Sequence, residues 1–123
     1  MSDLRFFVEA SIDKDGFVDS VRKEHTATMS FAGVQASSPD VGTSSTQIAT
    51  ASLNSVGFAF AQSIVTSTVT TATITIGRLV GTTLHGFCKL KPNEAALLRL
   101  ADGDYAAEAD ADGAKLFISI AEG

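Results

Sequence analysis

Apolar and polar residues alternate with a period of two near both ends of the chain. Every second residue from Leu4 to Ile12 is apolar, and the positions between are polar except for Phe7. The segment 115–121 alternates in the same way, with Phe117 on the face opposite its aliphatic neighbours. This period is typical of half-buried β-strands. Phe7 stands on an otherwise polar face, and we expect it to contact another subunit.

Turn residues divide the rest of the chain into short segments of the same kind. An exposed, mobile connection is predicted at 37–45, which contains Pro39, Gly42 and several Ser and Thr residues. Further strands are predicted at 17–21, 26–32, 48–53, 56–61, 72–76 and 105–109. No alternation of strands and helices is present. The pattern predicts an all-β fold: a single antiparallel β-sandwich or jelly-roll-like barrel of about eight to nine short strands, in one domain of residues 1–123.

The stretch Leu84–Leu100 contains two apolar runs on either side of Lys-Pro-Asn-Glu. Pro92 has the φ angle that the second position of a turn needs, and Asn93 tolerates a left-handed backbone. A β-hairpin or β-corner is therefore predicted, with the rest of the chain packed around it. The alternative is a short helix from Glu94 to Ala101 with Asn93 as its N-cap. The β-rich surroundings favour the strands.

Large and small residues alternate from Val56 to Ala61. The large ones are predicted to face one layer and the small ones another, as in a central strand with a second layer close by.

Charge is distributed unevenly along the chain. Residues 1–100 carry eight acidic and eight basic side chains, whereas residues 101–123 carry six acidic side chains and one lysine, which accounts for the net charge of −5. No basic cluster of the size that nucleic-acid binding needs is present, so no nucleic-acid partner is expected. The acidic end would repel an anionic membrane surface, and no apolar run is long enough to span a bilayer.

The 37 residues between Asp40 and Arg78 carry no charged side chain and are rich in Ser and Thr. Such a segment is either buried, or in contact with a neighbouring subunit, or a solvated Ser/Thr-rich sheet. Its sequence leaves these alternatives open.

The single Cys88 excludes an intrachain disulfide, and no signal peptide is visible, so folding in a reducing cytoplasm is expected.

Two groups of residues could suggest chemistry. Asp13, Asp15 and Asp19 around Gly16 resemble the middle of a calcium-binding loop, but Arg22 occupies the position of the bidentate glutamate. A hairpin turn is therefore predicted there. His85 and Cys88 lie three positions apart, which on a regular strand puts them on opposite faces.

Four aspartates near the C-terminus complete the set of candidate groups: Asp102, Asp104, Asp110 and Asp112. They form two turns on either side of one short strand, which predicts solvated turn residues and no shared metal site. No catalytic residue, cofactor site or metal site is predicted, and the chain is expected not to be an enzyme.

A series of motifs in the second half carries a resemblance to a family. In order these are Ile48-Ala-Thr-Ala-Ser, Val56-Gly-Phe-Ala-Phe, Ile74-Thr-Ile-Gly, Leu90-Lys-Pro-Asn-Glu, Tyr105-Ala-Ala-Glu-Ala and Ala114-Lys-Leu-Phe-Ile-Ser-Ile-Ala-Glu. Residues 46–123 resemble small β-rich virion proteins of tailed bacteriophages, some of which decorate or cement the capsid. The chain departs from the pattern at Asn93, where glycine is usual.

The resemblance implies a non-enzymatic structural protein of the virion, made in the host cytoplasm. Its implied partners are the major capsid protein or other virion proteins and further copies of itself, with a trimer favoured. Residues 1–10 are expected to form an assembly-contact strand or arm. The residues predicted to make assembly contacts are Leu4, Arg5, Phe6, Phe7, Val56, Phe58 and Phe60.

Two other functions remain open at this stage. A head-fibre, tail or receptor-binding component would use residues 37–46 and the acidic turns as recognition loops. A small cellular β-sandwich binding module, or a small enzyme, would use His25, His85 and Cys88.

Overall fold

The computed structural model describes residues 4–27, 33–50, 53, 55–64 and 71–122. These residues form β-strands and no helix, which confirms the all-β prediction. Eleven strands are described: β1 (Leu4–Lys14), β2 (Phe17–Ala27), β3 (Val34–Ser37), β4 (Asp40–Val41), β5 (Thr46–Gln47), β6 (Phe58–Ile64), β7 (Ile74–Val80), β8 (Thr83–Leu90), β9 (Ala95–Arg99), β10 (Tyr105–Ala109) and β11 (Ala114–Ala121).

The strands form three sheets in which all described pairs are antiparallel. β1 and β2 form a two-stranded sheet, called the hairpin below. The β10 sheet has the order β5-β10-β7-β8, and the β11 sheet has the order β3-β11-β6-β9, with β4 also paired to β11. The chain divides into two compact units, 1–30 and 31–123, of which the first contains the hairpin and the second the other nine strands.

Eleven strands in three sheets differ from the predicted eight or nine. The strands β3, β4 and β5, which the pattern did not predict, are only two to four residues long. A period of two cannot be recognised over so few residues, because it needs several alternations. The predicted loop at 37–45 is therefore wrong in part, since it contains β4, and Val41 in that strand is buried.

Buried residues of the β10 and β11 sheets form one apolar cluster in the part of the chain that the structure describes. Strand β11 contributes Leu116, Ile118 and Ile120, which are almost completely buried, while Phe117 is directed to the opposite face, as predicted. Strand β7 contributes Ile74 and Ile76 from the other sheet. Alternation over eight residues in β11 places every second side chain in this cluster.

The Leu84–Leu100 stretch is a β-corner. Its turn is closed by the Glu94 N–H, which donates to the Lys91 carbonyl at 3.0 Å, and Asn93 has a φ of 64°. These features are those of a type II turn with proline at its second position. The flanking strands β8 and β9 enter different sheets, and each lies at the end of its sheet. The corner prediction is confirmed, but the helical alternative and the central position of this stretch are wrong.

Asp15 and Gly16 join the strands of the hairpin. Their φ values are 52° and 83°, as in a two-residue type I′ turn. This turn keeps the right-handed twist of β1 and β2. The predicted hairpin turn is therefore confirmed.

Several strand boundaries differ from the prediction. The strand predicted at 56–61 begins at Phe58 and extends to Ile64. The strand predicted at 48–53 is wrong for 48–50, although the buried Ile48 still donates its N–H to the Tyr105 carbonyl at 2.8 Å. Residues 28–32 of the strand predicted at 26–32 lie outside the described residues.

Candidate interaction surface

The outer face of the β11 sheet is apolar. Strand β6 buries its alanines, Ala59 and Ala61, and turns Phe58 and Phe60 away from the apolar cluster. This orientation follows from the space available, because small residues allow the second sheet to pack closely. Phe58 and Phe60 thus separate from the alanines as predicted and lie on the outer face, whereas Val56, predicted to share their face, packs against the core.

Register places neighbouring apolar side chains beside these phenylalanines. Phe60 is paired with Leu97 of β9 and with Ser119 of β11, and Ala121 is paired with Val34 of β3. Directly paired residues point to the same face of a sheet. We define the Phe60 face by its largest apolar side chains: Val34, Phe58, Phe60, Ile64, Leu97 and Phe117.

Two aromatic contacts organise the Phe60 face. The rings of Phe60 and Phe117 meet edge to face, with centroids 6.4 Å apart and planes at 62°. The Arg99 guanidinium lies 4.9 Å from the Phe58 ring centroid, within cation–π range. Phe60 nevertheless keeps 41% of its surface exposed, and Val34 and Ile64 are also exposed.

Charged side chains lie beside the apolar centre of the Phe60 face. At the outward positions of the described strands of the β11 sheet, the charged residues are Arg99, Lys115 and Asp40, and Asp40 of β4 is paired directly with Lys115. Asp40 therefore offsets the charge of Lys115, whereas Arg99 lies on β9 beside Phe58. A partner surface that is apolar and carries a carboxylate opposite Arg99 would be complementary to this face.

The structure separates the predicted contact residues of the second half. Phe58 and Phe60 lie on the Phe60 face, but Val56 is partly buried against the core. The backbone N–H of Val56 donates to a carboxylate oxygen of Asp102 at 3.0 Å. Val56 therefore holds a loop in place and is not part of this outer face.

The predicted contact residues near the N-terminus belong to the hairpin. Arg5 and Phe7 are exposed, and the Arg5 guanidinium lies 5.5 Å from the Phe7 ring centroid. The side chains of Leu4 and Phe6 lie outside what the structure describes, although both residues form part of β1.

Sequence reasoning missed Val34, Ile64, Leu97 and Phe117 as members of the Phe60 face. Phe117 was recognisable, because it interrupts the polar side of an alternating strand. Val34 lies in a strand of only four residues, and Leu97 is followed directly by Leu98. The sequence therefore shows no alternation that would assign either residue to one face of its strand. Their membership depends on pairing between distant strands.

The uncharged segment 41–77 contributes inner strands to both sheets. Strand β6 lies between β11 and β9, and β7 lies between β10 and β8. Buried positions alternate with Phe58, Phe60 and Ile64 of the outer face, so charge is missing from both faces of β6. Residues 51, 52, 54 and 65–70 of this segment lie outside the described residues.

The aspartates near the C-terminus bind backbone groups of distant loops. Asp110 accepts a hydrogen bond from the Thr73 N–H at 2.9 Å, and Asp112 accepts one from the Thr43 N–H at 3.1 Å. Asp102 does the same for Val56. These residues are exposed, as predicted, and they also fasten loops that come from earlier in the chain.

Cys88 is half-buried against the core, whereas His85 is exposed. Burial raises the pKa of the Cys88 thiol, and the negative charge of Glu94 raises it further. A thiol that stays protonated at neutral pH is a weak nucleophile. The register shifts at Gly77, so the regular alternation assumed between His85 and Cys88 does not hold in this part of β8. The side chain of His25 lies outside what the structure describes.

In the described part of the second unit, shallow grooves of about 370, 310 and 390 Å³ are present. The first is lined by polar groups that include Thr75, Lys89 and Glu108. The lining of the second includes Arg78 and Tyr105, and that of the third includes Ile48 and Asp104. Among the described residues, no group of three or more His, Cys, Asp or Glu side chains is placed to hold a metal ion.

In the part of the chain that the structure describes, no helix is present that is long and apolar enough to cross a membrane. No protein-family model, curated protein or solved structure matches the chain.

Proposed function

We propose that the chain is a non-enzymatic structural protein of a tailed-phage virion that decorates or cements the capsid. The observation that carries this proposal is the Phe60 face, an apolar and aromatic sheet surface left exposed on one side of the second unit. Exposed apolar patches of this kind mark interaction sites. The phage context comes from the resemblance of residues 46–123 to virion proteins.

The proposed fold is a single β-sandwich formed by the β10 and β11 sheets. In this arrangement the Phe60 face is the broad outer side of one layer, a rigid surface built on strands. A decoration protein repeats one contact at many equivalent sites of a shell, so each contact can be individually weak. Aromatic side chains contribute strongly to such interfaces because each buries a large area.

The contact chemistry specifies the partner surface. We expect the major capsid protein to present an apolar patch with a carboxylate beside it, which would meet Arg99. The acidic turns support decoration over receptor recognition, because Asp102, Asp110 and Asp112 already accept hydrogen bonds from loops of the same chain.

The test uses empty heads of the phage whose genome encodes this chain. Purified protein is mixed with heads that lack it, and the mixture is separated on a density gradient. Decoration predicts saturable cosedimentation with a fixed number of copies for each capsid protein. Absence of cosedimentation at micromolar protein would overturn the proposal.

Two variants connect this binding to the Phe60 face. Phe60→Ser removes a central aromatic ring, and we expect the affinity for heads to fall at least tenfold, about 1.4 kcal/mol. Thr75→Ser changes the outer side of the β10 sheet and serves as the matched control. Equal binding by both variants would show that the Phe60 face is not the contact.

A further inference from the structure

The hairpin is an unusual element because it has only two strands. β1 and β2 pair along their full length of eleven residues each and form a sheet of their own. A two-stranded hairpin is at best marginally stable in water, because it buries little apolar surface by itself. Burial against a further surface would stabilise it.

One face of the hairpin is suited to water. Arg5 forms an ion pair with Glu24, and the Arg22 guanidinium lies 4.0 Å from a Glu9 carboxylate oxygen. The Arg5 and Arg22 guanidiniums also lie 5.5 and 5.3 Å from the Phe7 ring centroid. The exposed Phe7, which is out of place in the sequence pattern, thus has cationic partners within the hairpin.

The other face of the hairpin carries an exposed apolar stripe between charged positions. Val8, Ile12 and Val21 keep 44%, 54% and 60% of their surfaces exposed. Ala10 is paired directly with Val21, so these side chains form a continuous stripe across both strands. We call this stripe, made of Val8, Ala10, Ile12 and Val21, the Val21 face.

We propose that the Val21 face binds the same face of a second copy of this chain, about a two-fold axis that crosses the strands at the Ala10–Val21 pair. Charge complementarity favours this occupant. Lys23 is paired with Val8, and Asp19 is paired with Ile12. Along β2, a basic position therefore lies on one side of Val21 and an acidic position on the other.

The two-fold operation places register positions of opposite charge over each other. It reverses the strand direction of the second copy and sets the Lys23 position of each copy over the Asp19 position of the other. Val8 then faces Ile12, and Val21 faces Val21. The surface is thus complementary to itself, as an isologous interface requires. A partner unrelated to this chain would need no such arrangement of charge.

This inference deepens the proposed function, since it identifies the surface through which copies associate. The Val21 face and the Phe60 face belong to different sheets. If the chain does not bind heads, association through the Val21 face can still be tested. If the chain does not associate, head binding through the Phe60 face can still be tested.

The first experiment measures the mass of the full chain by light scattering coupled to size-exclusion chromatography, over a series of concentrations. The chain has a mass of 12.8 kDa, so a dimer is easily distinguished from a monomer. We expect dimers, or assemblies with an even number of copies. Val21→Asp is expected to weaken the dimer at least tenfold, whereas Ser20→Asp, which adds the same charge on the opposite face, leaves the mass unchanged. Circular dichroism confirms that each variant is folded.

Charge exchange tests the two-fold register. Lys23→Asp and Asp19→Lys are each expected to weaken association, because each places like charges together across the axis. The double variant restores opposite charges and should recover most of the affinity. A monomer at all concentrations, a trimer, an unchanged mass for folded Val21→Asp, or an absence of rescue in the double variant would each overturn the proposal.

Discussion

The carboxylate of Asp102 accepts a hydrogen bond from the backbone N–H of Val56, 46 positions earlier in the chain, at 3.0 Å. This bond fastens the loop that leads into strand β6, and therefore the start of the Phe60 face. Asp110 and Asp112 make the same type of bond to other loops. The acidic residues near the C-terminus thus stabilise the fold in addition to setting the net charge.

Replacement of Asp102 tests this stabilising bond. Asp102→Ala removes the acceptor and is expected to lower the free energy of unfolding by about 1 kcal/mol, since the bond is exposed to water. Asp102→Asn keeps an oxygen acceptor and should lose less than half of that. Urea denaturation measures both variants. Equal stabilities of the alanine and asparagine variants would contradict a role for the hydrogen bond.

A second prediction concerns Tyr105 at the start of β10. Its hydroxyl donates to the Ala101 carbonyl, and its ring meets Phe87 edge to face, with centroids 6.1 Å apart. Tyr105→Phe keeps the ring and loses the bond, so we expect a loss of about 1 kcal/mol and a Tm lower by about 3–6 °C. Calorimetry gives the Tm. A Tm unchanged within 1 °C, about the error of such a scan, would mean that the hydroxyl contributes nothing.

Gly77 allows two strands of the β10 sheet to approach each other. A Cβ at this position would overlap the carbonyl oxygen of His85 in β8. Gly77→Ala should therefore cost more than about 2 kcal/mol, because backbone must move. Gly81→Asn is the control: Gly81 has a φ of 64° and open space around it, and asparagine tolerates that conformation. Chemical denaturation should show the alanine variant to be the less stable by a wide margin.

Buried and outward side chains of the β11 sheet should respond differently to truncation. Leu116 is fully buried, so Leu116→Ala is expected to cost about 3–4 kcal/mol. Phe60→Ala removes a larger side chain from the outer face and should cost only about 1 kcal/mol. Urea unfolding of both variants checks the order, and a larger loss for Phe60→Ala would contradict the outward orientation of that ring.

Cys88 makes stability and reactivity depend on pH at the alkaline end. Its folded pKa is raised above the ordinary value of 9.0 by burial, with Glu94 adding to the effect. The unfolded thiol ionises first, so the contribution of this group to stability is complete below about pH 9 and is lost as the pH rises through the folded pKa. Cys88→Ala should remove that part of the alkaline loss of stability.

Alkylation by iodoacetamide measures the same shift directly. At pH 8 the folded protein should react more slowly than a free cysteine, because less thiolate is present. Glu94→Gln removes the nearby charge but keeps an acceptor for the Lys91 N–H, which donates to Glu94 at 2.8 Å. This variant should react faster than the wild type. An identical rate would remove Glu94 as a cause.

The sequence by itself determined the local structure wherever one strand or turn carries a complete pattern. Strand β11 alternates over eight residues, and Tyr105–Ala109 is bounded by acidic turns, so both were predictable from neighbouring residues. The Lys91–Glu94 turn was predictable because proline and asparagine favour its backbone angles. Phe58 and Phe60 were predicted to make contacts from the same kind of local pattern.

Tertiary structure decided what depends on pairing between distant segments. Strands of two residues, such as β4, form only because β11 offers hydrogen-bonding partners, and no local period marks them. The side on which Phe60 lies, and its neighbours Leu97 and Phe117, follow from register across three strands. The bonds from Asp102, Asp110 and Asp112 join residues far apart in sequence. These features depend on three-dimensional proximity, which a one-dimensional pattern does not contain.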